Sequence, residues 1–368
     1  MDNLTHTLCG AALAKTRLGR ASRLAPLSLV VGANLADVDV LSRVFAGKEA
    51  YLVHHRGITH SLVGVVVGAL LLAASVRWIE RRTRPAGEAA VPWRAHLLPA
   101  FVGLASHPLL DLLNNYGVRP WLPFSSARYF GDLVFIVDPW LWLLFGGIAA
   151  LAGARTRLGH LFWVAVAAFS CWLAFTSDRT PNHVKNVWPF ALALVAALRA
   201  LQVGRERPRR VVVAGAALLV IYLGGLELSA RLAWRNLLAR TKPSEQVAAG
   251  ITEPWRLAMR SPVLADPFRW YLFLETSEQY FVREVDFRGR TIWTWERGPR
   301  SLDDRRVVEA MRSPKADSWR YFARLPFARI VEHEDGGATV TLSDARYHFA
   351  QGPYWCSVEV ELPPAAAR

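Results

Sequence analysis

His54-His55-Arg56-Gly57-Ile58-Thr59-His60-Ser61 runs directly into Leu62-Val63-Gly64-Val65-Val66-Val67-Gly68-Ala69-Leu70, and the apolar stretch continues to about Ile79. A run of that length and character reads as a membrane segment. The octet in front of it holds three imidazoles and a guanidinium, a combination that packing alone gives no reason to assemble. It reads as one wall of a metal site. Imidazole is the commonest protein ligand for zinc-like cations, and Gly57 permits a sharp turn that brings His55 and His60 toward one point. The plainer alternative is a polar interfacial loop whose histidines meet only water.

Working outward, the same apolar texture recurs. Blocks fall at residues 4–14, 24–35, 61–79, 96–113, 133–151, 158–175, 187–203 and 211–228, with Asn3 or Thr5 able to cap the first. Several are shorter than the roughly 20 residues a lone span requires, so some must be tilted, broken or shielded by neighbours. Trp121, Trp140, Trp142, Trp172 and Trp188 lie near block ends, as interfacial aromatics do. The chain of 368 residues is 52% hydrophobic with 15 Trp, and carries a formal net charge of +14. That charge is not spread as a nucleic-acid-binding surface would spread it, and no nucleic-acid partner is expected. It clusters between apolar blocks, at Lys15 to Arg23, Arg77 to Arg84, Arg155 with Arg157, and Arg205 to Arg210, as cytoplasmic loops of a multi-pass protein do. If the blocks span in turn, the 37–60, 114–132 and 177–186 loops and the C-terminal third share the other side. If the first block also crosses, His6 joins them.

From about Arg231 the composition changes. Arg231 to Met259 reads as polar and helical in part, with Pro243 and Pro254 as breakers. Alternating runs then begin at Trp270, Gln279, Thr291, Ala338 and Trp355, with turns at Asp286-Phe287-Arg288-Gly289 and Glu334-Asp335-Gly336-Gly337. The expected fold is mostly α: a polytopic helical membrane bundle of about seven to eight segments over residues 1–230, then an extramembrane β-rich (α+β) domain over 231–368. That domain shows no catalytic constellation; His333 and His348 read as surface or packing residues. Cys9, Cys171 and Cys356 are isolated, which points to neither a disulfide framework nor a thiolate site. The N-terminus lacks a basic region before its apolar run, so a cleaved signal peptide is not expected.

Four further elements belong with the octet. Asp37 and Asp39 close the second block. His107 and Asp111 stand one helical turn apart at the end of the fourth, where two side chains can chelate one ion. Asp132 and Asp138 flank Leu133-Val134-Phe135-Ile136-Val137, and His6 stands in the first block. Each has a plain reading: loop caps for Asp37 and Asp39, an intrahelical hydrogen bond for His107 and Asp111, a helix start for Asp138 before Pro139, a packed histidine for His6. Together they are harder to dismiss, because carboxylates at membrane-segment ends are costly unless paired, solvated or liganded. Nitrogen and oxygen donors without thiolate suit Zn²⁺, Mn²⁺ or Fe²⁺. More than four candidate ligands suggests more than one ion.

Five motifs in order, Met1-Asp-Asn-Leu-Thr-His-Thr-Leu-Cys-Gly, Asn34-Leu-Ala-Asp-Val-Asp, His55-Arg-Gly-Ile-Thr-His-Ser, His107-Pro-Leu-Leu-Asp and Phe135-Ile-Val-Asp-Pro, resemble the YdjM-type membrane-bound metal-dependent hydrolases, also described as LexA-regulated inner-membrane proteins. The resemblance covers roughly residues 1–150 and implies hydrolase activity at the inner membrane. More distantly, the order His, Asp, His, then His-x-x-x-Asp is similar to the zinc-dependent phospholipase C and single-strand nuclease group. That likeness implies His6, Asp39, His60, His107 and Asp111 as metal ligands; His55 and Asp138 complete the candidate set.

The leading expectation is a metal-dependent hydrolase cutting a phosphoester of a lipid or membrane-associated substrate. Bound divalent ions lower the pKa of their water to about 7 and hold phosphoryl oxygens. Arg56 would clamp a phosphate oxygen or offset transition-state charge, and Asp37 would orient the water or bridge ions. Asn34, Thr59, Ser61, Asn115 and Asp132 are candidates for holding the ligands in orientation. Two other readings use the same residues: a metal-ion or proton transporter, and a membrane scaffold whose C-terminal domain binds a protein partner. Transport sites usually lie near the bilayer midplane on broken helices, whereas these residues fall at segment ends.

Overall fold

The computed structural model describes residues 1–153, 156–176, 180–240, 256–277, 279–347 and 355–364. Arg155, Pro243, Pro254 and His348 lie outside them. The apolar blocks appear as helices α1 (Asn3–Leu13), α2 (Ala25–Leu35), α4 (Leu62–Thr83), α5 (Arg94–Leu112), α6 (Pro139–Leu151), α7 (Arg157–Thr176), α8 (Asn182–Ala200) and α9 (Pro208–Arg240). One helix was not expected: α3 (Leu41–His54) occupies most of the 37–60 loop, kinked where Gly47 takes a positive φ of 85°. Two boundaries also differ. The cap of α1 is Asp2, whose carboxylate accepts from Thr5 N at 3.0 Å, rather than Asn3 or Thr5. The fifth block begins its helix at Pro139, not Leu133, because proline fits the first helical position and Asp138 caps the amides behind it.

Among the described residues, three helices are long and apolar enough to cross a membrane: α4, α7 and α9. The structure is therefore mostly helical with three candidate spans. α1 and α2 have 11 residues each and α6 has 13. At 1.5 Å per residue these reach only about 16–20 Å, short of a hydrocarbon core of about 30 Å. α5 and α8 contain internal prolines, at Pro99 and Pro108 and at Pro189.

The described residues fall into two compact units. The first takes residues from Met1–Val38, Arg56–Ser229 and Ser261–Phe268; the second takes them from Asp39–His55, Ala230–Arg260 and Arg269–Arg368. In the first, α1, α2 and α5 approach closely through glycine. A Cβ on Gly10 would meet Val30 Cα at 2.8 Å, and one on Gly103 would meet Leu29 O at 2.8 Å. Small residues at such crossings let helix backbones pack where no hydrophobic effect drives them together. α4 packs on α5 through Val65, Ala69, Ala73, Ala100 and Leu104.

The C-terminal region forms two sheets, whose strands belong to the second unit except for Ser261–Phe268. One has the order β1 (Arg256–Val263), β2 (Asp266–Glu275), β3 (Gln279–Asp286), β4 (Thr291–Pro299); the other has β5 (Pro326–Glu332), β6 (Ala338–Asp344), β7 (Val358–Leu362). β2 and β3 pair from Arg269 opposite Asp286 to Glu275 opposite Tyr280, and β5 and β6 from Pro326 opposite Asp344 to Glu332 opposite Ala338. The alternating runs and both turn motifs thus form hairpins as the pattern demands. Two short helices, α10 (Arg305–Met311) and α11 (Ala316–Phe322), cover the three-stranded sheet, with Trp319, Val340, Leu342 and Val358 in the core. α3 packs with this unit: Lys48 Nζ donates to Ser357 O at 2.6 Å.

Candidate metal centre

Four helix ends of the first unit deliver the cluster. Asp37 lies in the 3-10 turn Ala36–Val40 that ends α2. His60 closes the turn Ile58–His60 just before α4. There Ser61 accepts from Gly64 N at 3.0 Å and donates to Ile58 O at 2.7 Å, which fixes where His60 leaves the backbone. His107 and Asp111 stand one turn apart on α5, and His6 is on α1. The sharp turn in the octet falls at Arg56, whose φ is 56°, and not at Gly57, whose φ is −91°. A non-glycine residue in that region is uncommon and is held there by its surroundings.

Four ligand atoms face one another. His60 Nε2 is 3.5 Å from Asp37 Oδ1 and 3.3 Å from Asp111 Oδ2; His107 Nε2 is 3.3 Å from Asp37 Oδ1 and 3.4 Å from Asp111 Oδ2. A tetrahedral ion with nitrogen and oxygen ligands at about 2.0–2.1 Å sets neighbouring donors about 3.3–3.4 Å apart. The four histidine–aspartate separations match that figure. They do not match direct pairing, since His107 Nε2 and Asp111 Oδ2 are buried and make no hydrogen bond of normal geometry within the protein. Groups so buried are nearly always satisfied. The imidazoles are also set in the right sense. His107 Nδ1 lies 2.7 Å from Ala33 O and His60 Nδ1 lies 3.0 Å from Thr59 Oγ1. With Nδ1–H donated outward, each Nε2 lone pair points into the cluster. The residues present fit a divalent ion.

Behind this set, Asp111 Oδ1 faces Arg56 Nη2 at 3.0 Å, His6 Nε2 at 3.4 Å and the Met1 amino group. His6 stacks on His107 with ring centroids 3.7 Å apart, and neither of its nitrogens makes a hydrogen bond of normal geometry. Arg56, 3% exposed, donates to Asn114 Oδ1 at 2.8 Å and lies over the Tyr116 ring at 4.5 Å.

The other expected residues have contacts of their own. Asp39 and His55 pair with each other in the second unit, His55 Nδ1 lying 2.9 Å from Asp39 Oδ1. The aspartate facing His60 and His107 is Asp37, two residues before Asp39. Asp138 caps α6, accepting from Trp140 N at 2.9 Å, and its other oxygen accepts from Tyr222 Oη at 2.8 Å. Both carboxylate oxygens are thus engaged away from the cluster. Asn34 donates to Val30 O and Asn115 to Ser261 Oγ. Asp132 sits in the left-handed region at φ 52°. Thr59 and Ser61 make the contacts with His60 and the turn before α4 given above. The sequence reading missed Asn114, three residues beyond Asp111 and just past the end of α5, and the Ala33 carbonyl. The first could have been found from its spacing after Asp111; a backbone acceptor on another helix carries no sequence signal.

Fold and cluster together define a helical membrane protein with a buried histidine–aspartate centre. The profile of the YdjM inner membrane protein family matches residues 1–181. The chain is also 32% identical over 164 residues to the inner membrane protein YbcI of Escherichia coli (strain K12), covering 40% of this chain and 82% of that protein. The chain belongs to the YdjM family. No solved structure matches it.

Proposed function

We propose that the protein is a membrane-bound, metal-dependent hydrolase that cleaves a phosphoester of a lipid or membrane-associated substrate. The observation that carries this reading is the set of separations, 3.3 to 3.5 Å, among Asp37, His60, His107 and Asp111. Those four residues would hold a divalent ion, zinc before manganese or iron. Such an ion supplies an activated water and polarises a phosphoryl oxygen. The protein's own groups do the rest. Arg56 grips Asp111 Oδ1 and so turns Oδ2 to the centre, while its charge counters that of an arriving phosphate. Asp37 is the most exposed of the four, at 15% for its side chain, so the open edge lies there and substrate enters past it. His6 and His107, stacked and closed off from solvent, exclude water from the opposite side.

Elemental analysis of the detergent-purified protein tests the reading. Wild type should carry at least one equivalent of zinc or manganese, lost in His60→Ala and in Asp111→Ala, together with any hydrolysis of phospholipid or phosphodiester substrates. Absence of stoichiometric metal after reconstitution, or a metal-replete His60→Ala protein, would remove it. Metal uptake into vesicles without hydrolysis would favour a transporter.

A further inference from the structure

The chain between α5 and α6 carries an apolar surface that the metal cluster does not use. Residues 120–127, Pro-Trp-Leu-Pro-Phe-Ser-Ser-Ala, contain no ionisable side chain. Phe124 is 86% exposed and Trp121 49%, and Pro123 between them is exposed too. Single apolar residues on a surface need no explanation, but a run of them marks a place where something other than water belongs. Phe124 N and Ser125 N both donate to Trp121 O, at 2.9 and 3.1 Å, so the turn is closed on itself and holds its aromatic residues at the tip.

What the turn faces follows from where it is tied. Leu62 opens α4, and its N–H, one of those that a helix start leaves without a partner inside the helix, donates to Pro120 O at 2.9 Å. α4 is long and apolar enough to cross a membrane. Its 22 residues rise about 33 Å, against a hydrocarbon core of about 30 Å. Arg81 and Arg82 stand in its last turn, where their long side chains reach the head groups of one face. Leu62 is thereby left at the opposite boundary of the core, and the turn is fastened at that depth. Leu62, Val63 and Val66, at the same end of α4, are exposed, and lipid covers them when the helix crosses. The aromatic tip adjoins that lipid-facing side, in the layer that aromatic side chains favour.

We propose that the Trp121–Phe124 turn is a wedge inserted in the lipid leaflet at the Leu62 end of α4, with Phe124 among the upper acyl carbons and Trp121 at the head groups. Because His60 lies two residues before Leu62, the wedge also fixes the height of the metal cluster relative to the head groups. It requires α4 in the bilayer and is independent of metal and of hydrolysis.

The test uses the full-length protein in nanodiscs of palmitoyl-oleoyl-phosphatidylcholine. Cys9 and Cys356 are buried, so a Cys171→Ser background leaves an added cysteine as the reactive one. Phe124→Cys, Glu88→Cys and Val66→Cys, each carrying an environment-sensitive fluorophore, are compared for quenching by lipid with a nitroxide at carbon 5 of its acyl chain and by iodide in the buffer. Position 88 lies in the basic linker and 66 on the exposed side of α4. Nitroxide quenching at 124 should be at least about threefold that at 88, with iodide quenching correspondingly weaker. Moving the nitroxide to carbon 12 should reduce it, since a turn tied at the core boundary reaches only the first few carbons. Ser125→Cys keeps both aromatic residues and should report the same; adding Trp121→Ser and Phe124→Ser should cut its nitroxide quenching by at least about half. Iodide quenching at 124 equal to that at 88 would overturn the proposal by placing the turn in water. Protection from both quenchers would overturn it by placing a protein surface there, and unchanged quenching at 125 without the two aromatic residues would do so by removing the wedge.

Discussion

Asp111 shows how the candidate centre is built at the scale of single residues. One carboxylate oxygen turns toward His60 and His107, the other toward Arg56 and His6, so one side chain ties the ligand set to its support. Groups that orient ligands without being ligands should then matter measurably. Thr59 Oγ1 meets the far nitrogen of His60, and Thr59→Val should weaken metal affinity by about 10–100-fold while leaving all four ligands in place; competition with a chromogenic chelator reads this directly. Asp138 gives the opposite expectation. With its oxygens committed to α6 amides and Tyr222, Asp138→Ala should cost about 1–2 kcal/mol of stability and leave the metal content of the purified protein unchanged. Metal loss in a folded Asp138→Ala protein would return that residue to the ligand set.

At the scale of elements, the cluster forms where α1, α2 and α5 cross within backbone contact. Gly10 and Gly103 leave no room for a side chain between α1, α2 and α5. Gly103→Ala would drive a methyl group against the Leu29 carbonyl, and overpacking of this kind costs about 1–3 kcal/mol. It should also loosen metal binding, since α5 carries His107 and Asp111 while α2 leads to Asp37. A thermal unfolding curve alongside metal analysis separates this from harmless accommodation, in which neither would move. Helix existence was legible from the apolar blocks, because burial in lipid or protein demands them whatever the partners. The ends were less so. α3 was missed because Leu41 to His54 carries its apolar residues sparsely and is broken by Gly47, and its packing partners lie some 300 residues away in sequence.

For the whole molecule, the distribution of Lys and Arg sets an expectation about sidedness. A cysteine at Glu88, in the basic linker, should react with a membrane-impermeant maleimide only after permeabilisation. One at Glu334, on the turn between β5 and β6, should react in intact spheroplasts. Both positions are exposed. Labelling of both from the same side would defeat the topology in which the C-terminal region lies outside the cytoplasm.

The sequence by itself determined that this chain is mostly helical, apolar enough for a membrane in its first two-thirds and hairpin-forming beyond. These are properties of local periodicity and composition, which neighbours in sequence decide. It also named the residues from which a metal centre could be made, because imidazoles and carboxylates beside apolar runs need a reason to be there. Only the tertiary structure decided which of them meet. Asp37 and Asp39 differ by two positions in one turn, and only the arrival of α5 and the turn before α4 selects the first for His60 and His107. His55 and His60 share one motif, yet the reversal at Arg56 sends one to Asp39 and the other into the cluster. The physical reason is range: a ligand's identity is written in its own residue, but its geometry is fixed by backbones that pack from far along the chain.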